Sequence, residues 1–223
     1  MNWVRTASGL ALGVLFSTGL LVGGCVEVPV DTTTATTPPP TKAETSAASL
    51  RQGLDALLQE NVVLVAAATN AALGGRLDEY NAAYSAIDDN TRELEGAVRT
   101  IYGEDAGRKF YDLWHTHIGY LVDYTQGVAT NDEAKRTKAQ SELVAYSTDF
   151  GNMVQSLTGG RLNHDTVADL TRANIAELKG VIDAQGAKDY ALAYTDERDA
   201  EKQSFILGNT WSNAIVLQFP DKY

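Results

Sequence analysis

The chain has 223 residues, enough for one folded domain of roughly 175 once a leader and a tether are subtracted. Its formal charge is −11 and its bases form no cluster, which excludes nucleic acid as a partner, because phosphate binding needs grouped Lys and Arg that release counterions. The same acidity disfavours docking of the folded surface on anionic lipid. A single cysteine excludes an intramolecular disulfide.

Residues 1–24 carry one charge, Arg5, then an apolar run over residues 10–22, and end Leu21-Val22-Gly23-Gly24 before Cys25. A basic start, an apolar run too short to span a bilayer and small residues before a cleavage point describe the signal peptide of an exported chain. Small residues directly before a cysteine resemble a bacterial lipobox, with Val22 where leucine is commoner. The resemblance implies cleavage before Cys25 and lipidation of Cys25, giving a cell-envelope protein held to a bacterial membrane by a lipid anchor. The alternatives are an ordinary signal peptide with a coincidental cysteine, or an uncleaved anchor helix. Residues 25–45 include DTTTATTPPPTKAET, which has no apolar periodicity and reads as a flexible, partly extended Thr/Pro tether.

Residues 46–223 read as the folded domain, an all-α bundle of about six helices in three antiparallel hairpins. Ser49 with Gln52 forms a capping box for a first helix with the stripe Leu50, Leu54, Leu57, Leu58, Val62, Val65 and Ala68, stopped at Gly74-Gly75. A second helix carries Tyr80, Tyr84, Ile87, Thr91, Leu94, Val98 and Ile101 and stops at Gly103. The third, about residues 105–130, aligns Phe110, Leu113, Trp114, Ile118, Leu121 and Val122. It places His117 on the buried stripe and turns His115 outward by roughly 200°. Asn131-Asp132-Glu133 caps a fourth, with Leu143, Tyr146, Phe150, Met153 and Leu157 on its stripe and Thr158-Gly159-Gly160 at its end. A fifth runs over about residues 165–185, its start marked by Asn163-His164-Asp165, and a sixth over about 189–217. No proline falls between Thr41 and Phe219, and β-branched alternation is missing. The pairs Tyr80/Tyr84 and Tyr190/Tyr194, at i, i+4 spacing, read as core residues with hydroxyls at its edge.

The helices repeat. Leu57-Leu58-Gln59-Glu60-Asn61-Val62 aligns with Leu113-Trp114-His115-Thr116-His117-Ile118 and with Leu170-Thr171-Arg172-Ala173-Asn174-Ile175, at offsets of 56 and 57 residues. Downstream, GRLDEYNAAY at residues 75–84 resembles GAKDYALAY at 186–194. Tandem hairpins around a pseudo-threefold axis would bring Asn61, His117 and Asn174 into one polar core layer; the alternative is a coincidence between amphipathic helices. Because two repeats carry Asn at this place, replacing His117 by Asn is expected to cost about 1 kcal/mol or less if its hydrogen bonds are local.

LLQEN, DLWHTHIGYLVDYT, IYGEDAG and the C-terminal AIVLQFPDKY resemble an exported, uncharacterised bacterial family of helical-bundle lipoproteins. The resemblance covers residues 50–223. Relatives with this pattern are histidine-rich: histidine stands where this chain has Asn61, near Asn174 and near Gln203, and His117 matches. The histidine-rich version implies a transition-metal site, copper being suited to an exported protein. Here Glu197 and Glu201, at i and i+4, are the candidate oxygen ligands to join His117, or else a solvated face. No Ser-His-Asp signature and no phosphate-cradling glycine loop is present. Two functions follow as expectations. One is a binding or scaffolding bundle with an envelope protein as partner. The other is a copper redox protein centred on His117, dismutating superoxide, for which an acidic surface gives no steering of the anion.

Overall fold

The computed structural model describes residues 42–223, with side chains from Ser46 onward. The signal peptide, Cys25 and the tether before residue 42 lie outside the described residues. Among the described residues six helices form, α1 (Lys42–Leu73), α2 (Leu77–Tyr102), α3 (Glu104–Ala129), α4 (Glu133–Leu157), α5 (His164–Ala187) and α6 (Tyr190–Gln218). The described residues contain no strand.

The expected boundaries hold to within a few residues except at the first helix. Helix α1 is already formed at Lys42, so Ser49 and Gln52 lie in its interior and not in a capping box. Nothing between Pro40 and Ser49 breaks a helix, and Ala43, Ala47 and Ala48 favour one. The folded unit therefore reaches into the stretch read as tether. Caps elsewhere follow the sequence. The Asp132 side chain accepts from Lys135 N at 3.0 Å, Asn163 from Asp165 N at 2.7 Å and Asp189 from Leu192 N at 3.1 Å. Gly103, between α2 and α3, sits at φ +93°, a conformation that β-carbon sterics deny most residues.

The three hairpins are structural repeats. On α1, α3 and α5 the same positions are buried at each offset: Leu54, Phe110 and Val167; Val62, Ile118 and Ile175; Val65, Leu121 and Leu178. The second helices repeat as well: Ile87, Leu143 and Ala200; Leu94, Phe150 and Leu207; Val98, Val154 and Trp211. Chance similarity between amphipathic helices would align polarity over a turn or two, but would not carry one register through both helices of every hairpin.

Each helix packs against its neighbours in sequence, and α6 packs back on α1, closing the ring. Helices α1, α3 and α5 also touch one another across the middle. They form an inner triangle around a pseudo-threefold axis, with α2, α4 and α6 at the corners between them. Ser46–Leu73 is long and apolar enough to cross a membrane. Its stripe of Leu54, Leu58, Val62 and Val65 is buried inside the bundle, which accounts for its apolarity.

Backbones approach closely where adjacent hairpins meet. A Cβ on Gly151 of α4 would lie 2.5 Å from the His164 carbonyl of α5, and one on Gly208 of α6 would lie 2.3 Å from Asp55 Oδ1 of α1. These glycines are repeat equivalents, 57 residues apart. Asp55 is almost fully buried beside Gly208, and loss of solvent raises its carboxyl pKa, against an opposing pull from Arg51.

Candidate functional site

The pseudo-threefold axis passes through a small polar chamber. Its wall holds one repeat-equivalent triad, Leu58, Trp114 and Thr171, and one turn on a second, Asn61, His117 and Asn174. The expected polar layer is thus assembled from the three inner helices. The outer helices complete it with residues 29 or 30 positions further along. Asn61 Nδ2 donates to Asn90 Oδ1 at 3.2 Å, His117 stacks on Tyr146, and Asn174 Nδ2 donates to Ser204 Oγ at 3.0 Å and to the Ala200 carbonyl at 2.9 Å. Asn90 and Tyr146 are partners that a reading of the first helices alone misses. The repeat offset, applied to the second helices, would have found them.

The middle hairpin differs from its sisters. Asn61 and Asn174 are satisfied by amides, a hydroxyl and a carbonyl, whereas His117 sits in an aromatic cage. Its ring lies 4.6 Å from Tyr146, nearly parallel, and 4.7 Å from Trp114, edge to face. Phe110, Phe150 and Trp211 extend the cluster. His117 Nδ1, the Tyr146 hydroxyl and Trp114 Nε1 are buried without a hydrogen-bond partner. Burial pushes the His117 pKa from an ordinary 6.5 down to about 3, with a small further push from His115. The Trp114 carbonyl one turn back pulls the other way, although no bond of normal geometry reaches Nδ1. The imidazole is therefore neutral at physiological pH, and burial holds the Tyr146 phenol protonated. A chamber of about 20 Å³ has room for one water-sized molecule.

A larger cleft opens beside the chamber, between α1, α2 and α3. It has a volume of about 250 Å³ and is lined by Val65, Ala68, Tyr84, Ile87, Ile118 and Leu121, among others, with Arg76 and Leu77 at its mouth. Tyr80 and Tyr84 form one wall, their rings 5.9 Å apart. The hydroxyls on its floor are already engaged: Thr69 donates to Gln185 Oε1 at 2.8 Å and Thr125 to the Leu121 carbonyl at 2.8 Å. Arg76 pairs with Glu79 at 2.5 Å. Among the described residues, the buried polar atoms that lack partners do not line this cleft. Its chemistry therefore favours an apolar guest.

The candidate metal ligands do not come together. His117 lines the axial chamber, while Glu197 lines a separate pocket against α1 and Glu201 lies one turn further along α6. No group of three or more His, Cys, Asp or Glu that could hold a metal exists among the described residues. The neighbours His117 does have are amides, hydroxyls and aromatic rings, poor partners for a transition metal. Two further expectations are corrected. Tyr190 and Tyr194 are not core residues but stand 51% and 64% exposed, because they take the exposed places of Leu77 and Asn81 in the first hairpin while Ala193 between them is the buried one. His117 Nδ1 has no hydrogen bond of normal geometry, so the condition attached to a cost of about 1 kcal/mol or less is not met, and replacement by Asn is expected to cost more because it empties an aromatic cage.

His115 is exposed, as its position predicts, and stacks on Tyr111 at 5.6 Å. His164 is the first residue of α5, its backbone N–H donating to Gln155 Oε1 at 2.8 Å. Comparison with protein-family models, with curated proteins and with solved structures finds no match to this chain.

Proposed function

We propose that this chain is an exported envelope lipoprotein, anchored through Cys25, whose bundle binds a small, largely apolar molecule in the cleft between α1, α2 and α3. The observation that carries the binding role is the cleft itself. It combines about 250 Å³ of space, an apolar lining from three helices and floor hydroxyls whose hydrogen bonds are already made. A polar ligand gains nothing from such a floor, whereas an apolar one removes the lining from water at about 25 cal/mol per Å². The export and anchoring part rests on the leader and the Gly23-Gly24-Cys25 sequence.

Binding is favoured over redox catalysis by the donor set. A neutral imidazole without a second nitrogen, sulfur or carboxylate beside it makes a weak copper site, so a copper dismutase has no first coordination sphere to start from. A scaffold for a second envelope protein would use the same cleft for an apolar side chain of its partner.

The experiment uses indole as the probe, with the protein in neutral detergent. Saturating indole should raise the melting temperature by several degrees, since a ligand at about 100 times its Kd adds about 2.7 kcal/mol. Ala72→Phe, filling the cleft from a half-buried position on its wall, should abolish the gain and leave the protein folded. Equal shifts in wild type and variant, or none in either, would overturn the proposal.

A further inference from the structure

The threefold pattern relates the apolar cleft to a second pocket between α5, α6 and α1, with a volume of about 210 Å³. The offset of 113 residues carries Ala72, Tyr80 and Tyr84 of the first pocket onto Gln185, Ala193 and Glu197 of the second. Ala66 and Asn70 of α1 stand where Val122 and Gln126 of α3 stand in the first. One architecture therefore holds two differentiated sites. In the second, a small residue replaces one tyrosine, a carboxylate replaces the other, and two tyrosines from the start of α6, Tyr190 and Tyr194, supply aromatic surface instead.

The charges around this pocket are uneven. Glu79 lines it but is taken up by Arg76 at 2.5 Å, a pair that also lies near Tyr190. Gln185 is held by Thr69 at 2.8 Å and by the Ala66 carbonyl at 2.9 Å, so its amide serves as wall. Glu197 is half-buried with no ion-pair partner among the described residues. Burial and the Glu201 carboxylate raise its pKa, and no basic side chain offsets them. An unpaired carboxylate partly removed from water, beside exposed aromatic rings, is a costly arrangement for an empty surface and a favourable one for a cation.

We propose that this pocket binds a small organic ammonium ion, its charge held by the Glu197 carboxylate and its alkyl part packed against Tyr190, Tyr194 and the alanines of α1 and α6. An inorganic cation would gain nothing from the tyrosines, and a neutral molecule of the same shape would leave Glu197 uncompensated. The site is separate from the apolar cleft, and its test neither uses indole nor depends on Ala72.

The probe is n-butylammonium, with 1-butanol as its neutral counterpart, followed by saturation-transfer NMR on the full-length protein in neutral detergent. Butylammonium should bind at least tenfold more tightly than butanol. Glu197→Gln should weaken it at least tenfold, Tyr194→Ala severalfold, and Glu201→Gln less than threefold. Thermal unfolding of each variant verifies the fold. In wild-type protein, which needs no variant, binding should fall away as acid protonates Glu197, while the weak binding of butanol stays level. Equal affinity for butanol, undiminished binding by Glu197→Gln, or no binding of butylammonium would each overturn the proposal.

Discussion

Acid should destabilise this protein through His117 in a way that a single substitution can isolate. The folded imidazole has a pKa of about 3 against an ordinary 6.5, because it is fully buried among aromatic rings. The unfolded chain therefore binds a proton that the folded chain refuses between those values. Stability from this group is complete above about pH 6.5 and is lost as pH falls towards 3, at about 1.4 kcal/mol per pH unit. Over the two units from pH 6.5 to 4.5 the loss amounts to about 2–3 kcal/mol. Carboxylates titrate over part of the same window, so the quantity to measure is the difference between wild type and His117→Asn. Urea unfolding at half-unit steps from pH 8 to 4 gives both curves. The difference should be flat above pH 7 and narrow steadily below 6.5, the variant losing less stability than the wild type. Its height at pH 8 reports packing alone. Removing a ring from between Tyr146 and Trp114 should cost about 1–3 kcal/mol there. Parallel curves down to pH 4.5 would show that the ring protonates inside the fold, and would refute the account of His117 as an imidazole held neutral by burial in an aromatic cage.

Cys25→Ser should release the chain from the membrane with its helical circular-dichroism spectrum unchanged, since attachment is ascribed to acyl chains; labelled palmitate that persists on the serine variant would contradict this. Gly151→Ala should destabilise by about 1–3 kcal/mol in thermal unfolding, because its Cβ would meet the His164 carbonyl at 2.5 Å and push α4 from α5. Gly96 of α2, by contrast, meets only the end of the Arg99 side chain at 3.9 Å, so Gly96→Ala should be neutral or stabilising in the same assay. Stoichiometric copper should leave the wild-type melting temperature unmoved, whereas the double variant Asn61→His, Asn174→His should gain several degrees, since it places three imidazoles around one chamber.

Apolar periodicity was sufficient to locate the helices, because a stripe at helical spacing has one way to be buried. Glycine and Asx residues marked their ends, since those side chains act on the nearest turn of backbone. The error at Ser49 has the same local origin: a capping pattern is short, and only the unbroken helix before it shows that it is unused. The polar layer was also legible, because tandem repetition turns an offset of 56 or 57 residues into a shared position around an axis. The surroundings of each layer member were not legible in the sequence. Asn61 and His117 occupy equivalent places, yet one meets an amide and the other a tyrosine ring, a difference set by residues 29 positions away on another helix. Separating Glu197 from His117 likewise needed the packing of α6 on α1. Tyr190 and Tyr194 share the spacing of Tyr80 and Tyr84 but stand exposed, because spacing sets the face of a helix and only the neighbouring helix decides whether that face is covered. The differing linings of the two related pockets arise in the same way, from side chains contributed by three helices distant in sequence, where local rules have no reach.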